Sequence, residues 1–175
     1  MSRQSQQRTR RKTMSRSRPT APKAPMAKKL ASAAVAVQPG IQATRLARAL
    51  QALSHGLPNP WDESDDFFHE FAAVMPASTA LDPESFRSAL RIGARYHIDL
   101  SPADDVLAEL SDPDLGWGEE IAGGFKQLAT VMHATLTDVS RAFARGTGVV
   151  RVRVWLFGRT VDGTLVGLHS ISTET

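Results

Sequence analysis

The feature that most constrains how this chain folds lies within residues 119–175. It is a long apolar stripe followed by two segments in which residues alternate between two faces. Glu119 and Glu120 open the stripe and suit the positive end of a helix dipole. The apolar residues then recur at intervals of three and four, as on a core-facing helix: Ile121, Phe125, Leu128, Met132, Leu136, Val139 and Phe143. We therefore predict one long helix that ends at Gly146 to Gly148.

The segment after this helix is predicted to form two antiparallel strands. Residues 149–157 alternate, so that Val150, Val152, Val154 and Leu156 share one face and Arg151, Arg153, Trp155 and Phe157 the other. Asp162-Gly163 is a hairpin signal, and residues 165–171 form the returning strand. The sequence then ends at Thr175 with a free carboxylate and two threonine hydroxyls beside a strand end. We expect this terminus to be a functional group.

The charges are divided unevenly along the chain. Residues 1–61 contain twelve Lys or Arg and no Asp or Glu, whereas residues 62–175 contain nine basic and all eighteen acidic residues. The net charge of +3 therefore describes neither part. The absence of Cys excludes disulfides and thiolate metal sites. No run approaches the ~20 apolar residues of a membrane span, so we expect no membrane association.

Residues 1–40 are predicted to be a disordered basic tail, and residues 41–175 a folded domain. The tail contains four prolines and no aromatic residue, so apolar burial cannot offset the entropy of ordering it. Three interpretations of the tail stay open. The first is a solvated tail without a partner, or a true translation start further along the chain, at Met14 or Met26. The second is weak phosphate contact through residues 1–29, and the third is a signal sequence that begins at Met26. We expect a cytoplasmic protein, with secretion of a form starting at Met26 as the alternative.

The first half of the domain gives mixed signals. Residues 41–53 carry the stripe of an amphipathic helix, which Gly56 ends. Residues 67–75 and 81–96 are ambiguous between helix and strand, although Asp82-Pro83-Glu84 is a helix-start signal. Residues 97–100 alternate as a short strand. Ser101 as N-cap and Pro102 at the first helical position then predict a short helix that Pro113 ends. Helices covering an antiparallel sheet place the domain in the α+β class.

Two loops carry candidate binding residues. Asp62, Glu63, Asp65 and Asp66 supply oxygens that suit Mg²⁺ or Ca²⁺, but their spacing does not match an EF-hand loop, and a solvated turn is the alternative. Trp117 lies between Gly116 and Gly118. Such a Trp either fills the core or stands out as an anchor for a partner protein, since Trp is enriched at interface hot spots.

The sequence gives little support for an enzyme. It has no Gly-x-Ser-x-Gly elbow, no Gly-rich phosphate loop and no His-Glu-x-x-His pair. Its five His are scattered and have no motif partner. We therefore predict a protein that is not an enzyme and that binds neither a cofactor nor a metal ion of its own.

A set of short motifs resembles the nuclease A inhibitor family over about residues 46–175. The matching residues are Asp62-Glu63-Ser64 with Phe67 and Phe68, Pro113 with Trp117, Glu119-Glu120, Phe125 to Leu128, Phe157 to Thr160, Gly163 to Gly167 and Glu174-Thr175. The resemblance implies a bacterial protein with a PR-1-like α/β/α sandwich around a central, mostly antiparallel sheet. It also implies irregular strand in residues 81–96. Proteins of this family block a sugar-non-specific nuclease that has a ββα-metal active site.

The resemblance implies three main contacts with the nuclease. Glu63 matches the loop Glu and Thr175 the C-terminal Thr that reach the nuclease's hydrated Mg²⁺, and Trp117 matches an anchoring Trp. Asp62, Leu115 and Glu174 adjoin these residues and complete the predicted partner-binding set. Leu115 replaces a Gln of the family, and the basic tail has no counterpart. Mg²⁺ prefers hard oxygens and keeps several waters, which suits contact by a carboxylate and a hydroxyl.

The leading hypothesis is therefore a stoichiometric inhibitor of a metal-dependent, non-specific nuclease. A net-negative domain would be steered towards a cationic nuclease cleft. The main alternative is a nucleic-acid-binding accessory protein that acts through its basic tail. A second alternative is an interaction module that shares the fold without inhibiting a nuclease.

Overall fold

The computed structural model describes residues 38–61, 67–148 and 150–173. Most of the predicted tail, residues 1–37, lies outside this part of the chain. The described elements are α1 (Ile41–Leu53), β1 (His69–Ala73), α2 (Pro83–Ala89), β2 (Tyr96–Pro102), α3 (Asp104–Leu110), a 3-10 helix η1 (Pro113–Leu115), α4 (Gly118–Thr135), β3 (Thr137–Gly146), β4 (Arg151–Arg159) and β5 (Leu165–Thr173). Within these ranges, no helix has both the length and the apolar character needed to cross a membrane.

The five strands form one antiparallel sheet in the order β1-β5-β4-β3-β2. One face, here called the three-helix face, packs against α1, α3 and α4 through a core that includes Leu50, Leu107, Phe125, Leu128, Leu156 and Leu168. The other face, the α2 face, packs against α2. There Phe86 contacts Trp155 and Phe157, with ring centroids 5.5 and 4.8 Å apart. The prediction of a mixed α+β fold is confirmed.

Several elements form where their local signals predict them. The helix predicted over residues 41–53 is α1, with the same bounds. The helix-start signal Asp82-Pro83-Glu84 is correct as well, since α2 begins at Pro83. Asp82 caps this helix, because its Oδ1 accepts hydrogen bonds from the backbone N–H of Glu84 (3.0 Å) and Ser85 (2.8 Å). The bonds with Ser85 lower the pKa of Asp82, since they favour the carboxylate. The irregular strand that the resemblance implies for residues 81–96 is therefore wrong for the segment Pro83–Ala89.

The predicted long helix is wrong in its C-terminal third. The helix α4 ends at Thr135, and residues 137–146 form the strand β3. Val139 and Phe143, which continue the apolar stripe, therefore belong to a strand. Along this strand, the buried Ala142 and Ala144 alternate with half-buried residues such as Phe143. Val139 and Phe143 are four residues apart, and this spacing places two residues on one face of a strand as well as on one face of a helix, so it does not distinguish the two.

The N-cap predicted at Ser101 is also wrong. Ser101 and Pro102 are the last residues of β2, and α3 begins at Asp104 after the cap residue Ala103. β2 continues this far because Pro102 pairs with Ser140 of β3. Strand pairing thus overrides the local cap signal, and proline is tolerated because β2 lies at the edge of the sheet.

The hairpin at the end of the chain is confirmed. β4 and β5 pair from Arg151 opposite Thr173 to Arg159 opposite Leu165. The turn between them contains Asp162, which accepts a hydrogen bond from the Thr160 hydroxyl. This bond is the main reason that the pKa of Asp162 is lowered. β4 and β5 form the middle of the sheet together with β3, and β1 adds to the outer side of β5.

Two histidines face each other across β1 and β5. His69 and His169 are paired, with ring centroids 5.5 Å apart. Burial lowers the pKa of His169 below its ordinary value of 6.5, and the neighbouring His69 and Arg153 lower it further. The folded protein therefore resists protonation of His169 more than the unfolded chain does.

We expect this pair to make folding stability depend on pH. Because the folded-state pKa of His169 is depressed, its full contribution is present above pH 6.5 and is lost as the pH falls below that value. Replacing His169 by Gln is expected to reduce this loss, measured as the urea midpoint between neutral and mildly acidic pH. The exposed His97, changed to Gln, is the matched control. An equal pH dependence in the two variants would contradict the prediction.

Candidate functional site

Four of the six residues predicted to contact a nuclease lie outside the described part of the chain: Asp62, Glu63, Glu174 and Thr175. The predicted convergence of Glu63, Trp117 and Thr175 therefore stays a prediction. The chain is described up to Trp61, again from Phe67, and to Thr173 at the end of β5. These flanking residues show from which part of the fold the acidic loop (residues 62–66) and the last residues depart.

Both flanks of the acidic loop are hydrogen-bonded to the end of β5. The Ser172 hydroxyl donates to the carbonyl oxygen of Trp61, the last described residue before the loop. The Ser170 hydroxyl donates to the carbonyl oxygen of Phe67, the first described residue after it (3.3 Å). The loop therefore begins and ends beside the final residues of β5. Glu63 is two residues from Trp61, and Thr175 is two residues from Thr173, so each segment can extend at most about 7 Å from its flank.

Asn59 adds a second connection between these segments. Its side-chain Nδ2 donates to Ser170 Oγ (3.1 Å) and to the carbonyl oxygen of Ile171 (3.3 Å). Its Oδ1 accepts a hydrogen bond from the backbone N–H of Trp61 (3.2 Å). Asn59, Ser170 and Ser172 are all buried, so loss of a partner would leave a polar group unsatisfied in the core. These bonds hold the chain before the loop against β5.

Replacing Asn59 by Ala is expected to lower the free energy of unfolding by about 1–3 kcal/mol, because its buried partners lose a hydrogen bond. It should also increase proteolytic cleavage in residues 61–67, since the start of the loop is then less firmly held. Urea unfolding and limited proteolysis measure the two effects. Ser78→Ala, at an exposed position, is the control. Equal urea midpoints for the two variants would show that the Asn59 hydrogen bonds do not stabilise this segment.

Trp61 fixes the start of the acidic loop by its side chain as well. The indole contacts the edges of Phe68 and Phe143, with ring centroids 6.5 and 5.8 Å away. The Arg145 guanidinium lies 4.7 Å from the centre of the Phe143 ring and forms an ion pair with Asp99 at 3.5 Å. The residues that position the loop were not among the predicted site residues. A signal was nevertheless present, because two serines interrupt the buried apolar face of β5.

Trp117 is half-buried at the beginning of α4. Its ring contacts Phe125 of the core, with centroids 6.4 Å apart and an interplanar angle of 64°. Gly116 (φ 94°) and Gly118 (φ 75°) flank it in left-handed conformations that favour glycine. Leu115, two residues earlier, is 54 % exposed. Part of the indole thus packs on the core and part faces solvent, and a role of Trp117 as an anchor for a partner protein stays a prediction.

The first half of α4 packs against the chain that leads to the acidic loop. A Cβ placed on Gly124 would lie 2.5 Å from Cδ2 of Leu57, so the helix backbone and Leu57 are in direct contact. Leu57 precedes Asn59 by two residues. Trp117 lies seven residues before Gly124, which corresponds to about 10 Å along a helix. Trp117 and the start of the acidic loop therefore lie on the same side of the sheet.

The chain segment that runs from the start of α3 to the start of α4 and includes Trp117 is acidic, and it extends from Asp104, which lies 3.7 Å from His133 near the end of α4. Residues 104–120 contain seven exposed carboxylates and no Lys or Arg. The seven residues are Asp104, Asp105, Glu109, Asp112, Asp114, Glu119 and Glu120. Asp112 also accepts a hydrogen bond from the backbone N–H of Asp114 (2.9 Å), which fixes the start of η1. This acidic surface (residues 104–120) adds to the negative charge of the acidic loop.

Exposed apolar side chains accompany these charges. Phe67, directly after the acidic loop, is 63 % exposed, and Val150, beside the first residue of β4, is 56 % exposed. Val150 lies at the same end of the sheet as Thr173, because Arg151 pairs with Thr173. Apolar side chains surrounded by charged residues are typical of protein interfaces. Two exposed apolar side chains therefore lie beside the end of β5, next to a flank of the acidic loop.

No group of three or more His, Asp or Glu within the described ranges is arranged to hold a metal ion. In comparisons of the whole chain with known proteins, no family model and no curated sequence matches it.

Proposed function

We propose that this chain is a protein inhibitor of a sugar-non-specific nuclease with a ββα-metal active site. Glu63 of the acidic loop and Thr175 contact the hydrated Mg²⁺ of the nuclease, and Trp117 anchors the complex. Asp62, Leu115 and Glu174 add contacts around them. The observation that best supports the proposal is the pair of hydrogen bonds from Ser170 and Ser172, which hold both flanks of the acidic loop to the end of β5.

The proposed inhibition needs no chemical reaction. Water bound to Mg²⁺ is a strong hydrogen-bond donor, and Mg²⁺ gives up its waters reluctantly. The carboxylate of Glu63 accepts hydrogen bonds from such waters, and the Thr175 hydroxyl supplies a further oxygen. The two groups then occupy the space that a phosphate group of the substrate needs, and the nuclease is blocked for as long as the complex lasts.

Charge favours formation of the proposed complex. A nuclease cleft that binds a polyanion attracts the acidic loop and the acidic surface of residues 104–120, and such steering raises the association rate at low ionic strength. The half-buried Trp117 lies within the acidic surface. Because its ring is already supported by Phe125, little side-chain freedom is lost when a partner covers the exposed part.

We propose further that residues 41–175 form a PR-1-like α/β/α sandwich. The helices on both faces of the antiparallel sheet support this assignment. We also propose a bacterial origin and a cytoplasmic location, as the resemblance to nuclease A inhibitors implies.

The test is to titrate the full chain against a bacterial ββα-metal nuclease in the presence of Mg²⁺ and double-stranded DNA. Activity is expected to fall in proportion to added chain and to vanish near one equivalent, and excess DNA should not restore it. A metal-independent ribonuclease, assayed on RNA, is the control and should keep its activity. Full nuclease activity at excess chain would overturn the proposal. Recovery of activity with excess DNA would instead support nucleic-acid binding through the basic tail.

A further inference from the structure

The α2 face of the sheet has an open, cationic half. α2 covers Trp155 and Phe157, which leaves the opposite end of this face uncovered. We call this area the cationic sheet surface and define it by Arg95, Tyr96, Arg151, Arg153, His69 and His169. Arg151 and Arg153 on β4 are exposed, as is Arg95, whereas Tyr96 and His169 are half-buried.

Two guanidinium groups lie on the ring of Tyr96. Arg153 reaches it from β4, with its Cζ atom 5.8 Å from the ring centre. This path crosses β3 at small residues, since Arg153 pairs with Ala144 and Tyr96 pairs with Gly146. The Cζ atom of Arg95 lies 5.1 Å from the same ring, and its Nη2 donates to the Tyr96 hydroxyl (3.2 Å). Cation–π contacts therefore hold these two arginines in place.

Imidazole rings continue the surface on the other side of β4. His169 is adjacent to His69 across the strands, and its ring centre lies 6.4 Å from that of Phe71. Arg153 pairs with Ile171, two residues after His169, so the guanidinium and the imidazoles belong to one continuous area. Rings and positive charges thus extend across the sheet from His69 on β1 to Tyr96 on β2, with only small residues of β3 between Arg153 and Tyr96.

Acidic side chains are absent from the uncovered end of this face among the described strand residues, whereas Asp138 of β3 lies at the other end and forms an ion pair with Arg159 (3.8 Å). Alternate residues on each strand point to the same side. At the end that carries the cationic sheet surface, the strand residues on the α2 face are His69, Phe71, Tyr96, Ile98, Ala144, Gly146, Arg151, Arg153, Trp155, Gly167, His169, Ile171 and Thr173. Glu70 pairs with Leu168 and therefore faces the three helices. The domain thus has an acidic surface at residues 104–120 and a basic one on the α2 face.

We propose that the cationic sheet surface binds single-stranded nucleic acid. Planar guanidinium groups match phosphate oxygens, and unpaired bases can stack on guanidinium planes and on the exposed imidazole of His69. An acidic peptide would use the charges but not the rings, so the combination favours a nucleic-acid strand. The proposal does not depend on nuclease inhibition, because none of these residues is among those assigned to nuclease contact.

The test compares two charge reversals in the full chain, so that the basic tail contributes equally to both. The first variant combines Arg151→Glu with Arg153→Glu. The control combines Arg45→Glu with Arg48→Glu, which makes the same charge change at exposed positions of α1. Binding of a fluorescent oligothymidylate is followed by anisotropy over a range of salt concentrations. Circular dichroism checks that both variants are folded, and Arg151→Gln with Arg153→Gln replaces the first variant if the reversal prevents folding.

The β4 variant is expected to bind at least about 10-fold more weakly than the control, and the slope of log K against log salt should fall by about 1.4, because two phosphate contacts are lost. Equal weakening in both double variants would overturn the proposal. A poly-glutamate peptide that displaces the oligonucleotide at the same concentration as unlabelled oligothymidylate would also overturn it, and would assign the surface to an acidic protein.

Discussion

Replacing Glu63 by Gln is expected to raise the inhibition constant for a ββα-metal nuclease by about 100-fold. Gln keeps the length of the side chain but removes the negative charge, and half of its amide is a donor that cannot accept a hydrogen bond from metal-bound water. Losing one partner of a charged, desolvated contact commonly costs about 2–5 kcal/mol, and 1.4 kcal/mol corresponds to a factor of ten. The inhibition constant is obtained by titrating the chain against a fixed concentration of nuclease.

The matched control is Glu84→Gln on α2, which makes the same chemical change at an exposed carboxylate. Glu84 forms an ion pair with Arg87 at 3.3 Å and lies on the face of the sheet away from Trp117. Its replacement should leave the inhibition constant unchanged. If both variants inhibit equally well, Glu63 does not contact the metal site.

Replacing Trp117 by Ala is expected to weaken inhibition by at least about 30-fold, because truncation of an interface Trp commonly costs about 2–4 kcal/mol. The variant should also lose some folding stability, since the indole packs on Phe125. Inhibition is therefore measured on protein whose folded fraction has been determined by urea unfolding at the assay temperature.

Phe125→Leu separates the two effects of the Trp117 substitution. Phe125 is fully buried beneath Trp117, so this change loosens the same part of the core without removing any exposed surface. It should lower stability and leave the inhibition constant within about two-fold of the parent chain. If both variants weaken inhibition to the same extent, Trp117 acts by supporting the fold and makes no direct contact with the nuclease.

Local signals predicted those elements whose residues determine their own conformation. The apolar stripe of α1 and the Asp-Gly turn between β4 and β5 required no information from the rest of the chain. The same holds for Asp82, whose side chain caps α2 through residues two and three positions away. These are short-range hydrogen bonds and a single buried stripe, both of which can be read directly from residue spacing.

Elements determined by distant pairing were not predicted correctly. β3 shows an apolar spacing typical of a helix, and it is a strand because it has β2 and β4 on either side. Pro102 would begin a helix by its local preference, but it pairs with Ser140 at the sheet edge. Residues close together in sequence cannot reveal a partner that lies far along the chain.

The candidate site depends on contacts of this long-range kind. Asn59 and Ser170 are separated by 111 positions, and their hydrogen bond joins the chain before the acidic loop to the last strand. The sequence indicated chemically suitable groups in Glu63, Trp117 and Thr175 but not how they are positioned. The buried Asn and Ser side chains supply that positioning for the described flanks.

The most direct test of the account is a double-mutant cycle between Glu63→Gln and Thr175→Val, measured by inhibition of a ββα-metal nuclease. If both residues act at one metal-bound water shell, their effects should not add, and the cycle should give a coupling energy of about 1–3 kcal/mol. Effects that add to within about 0.5 kcal/mol would contradict the account, because they would place the acidic loop and the end of the chain at independent positions on the nuclease.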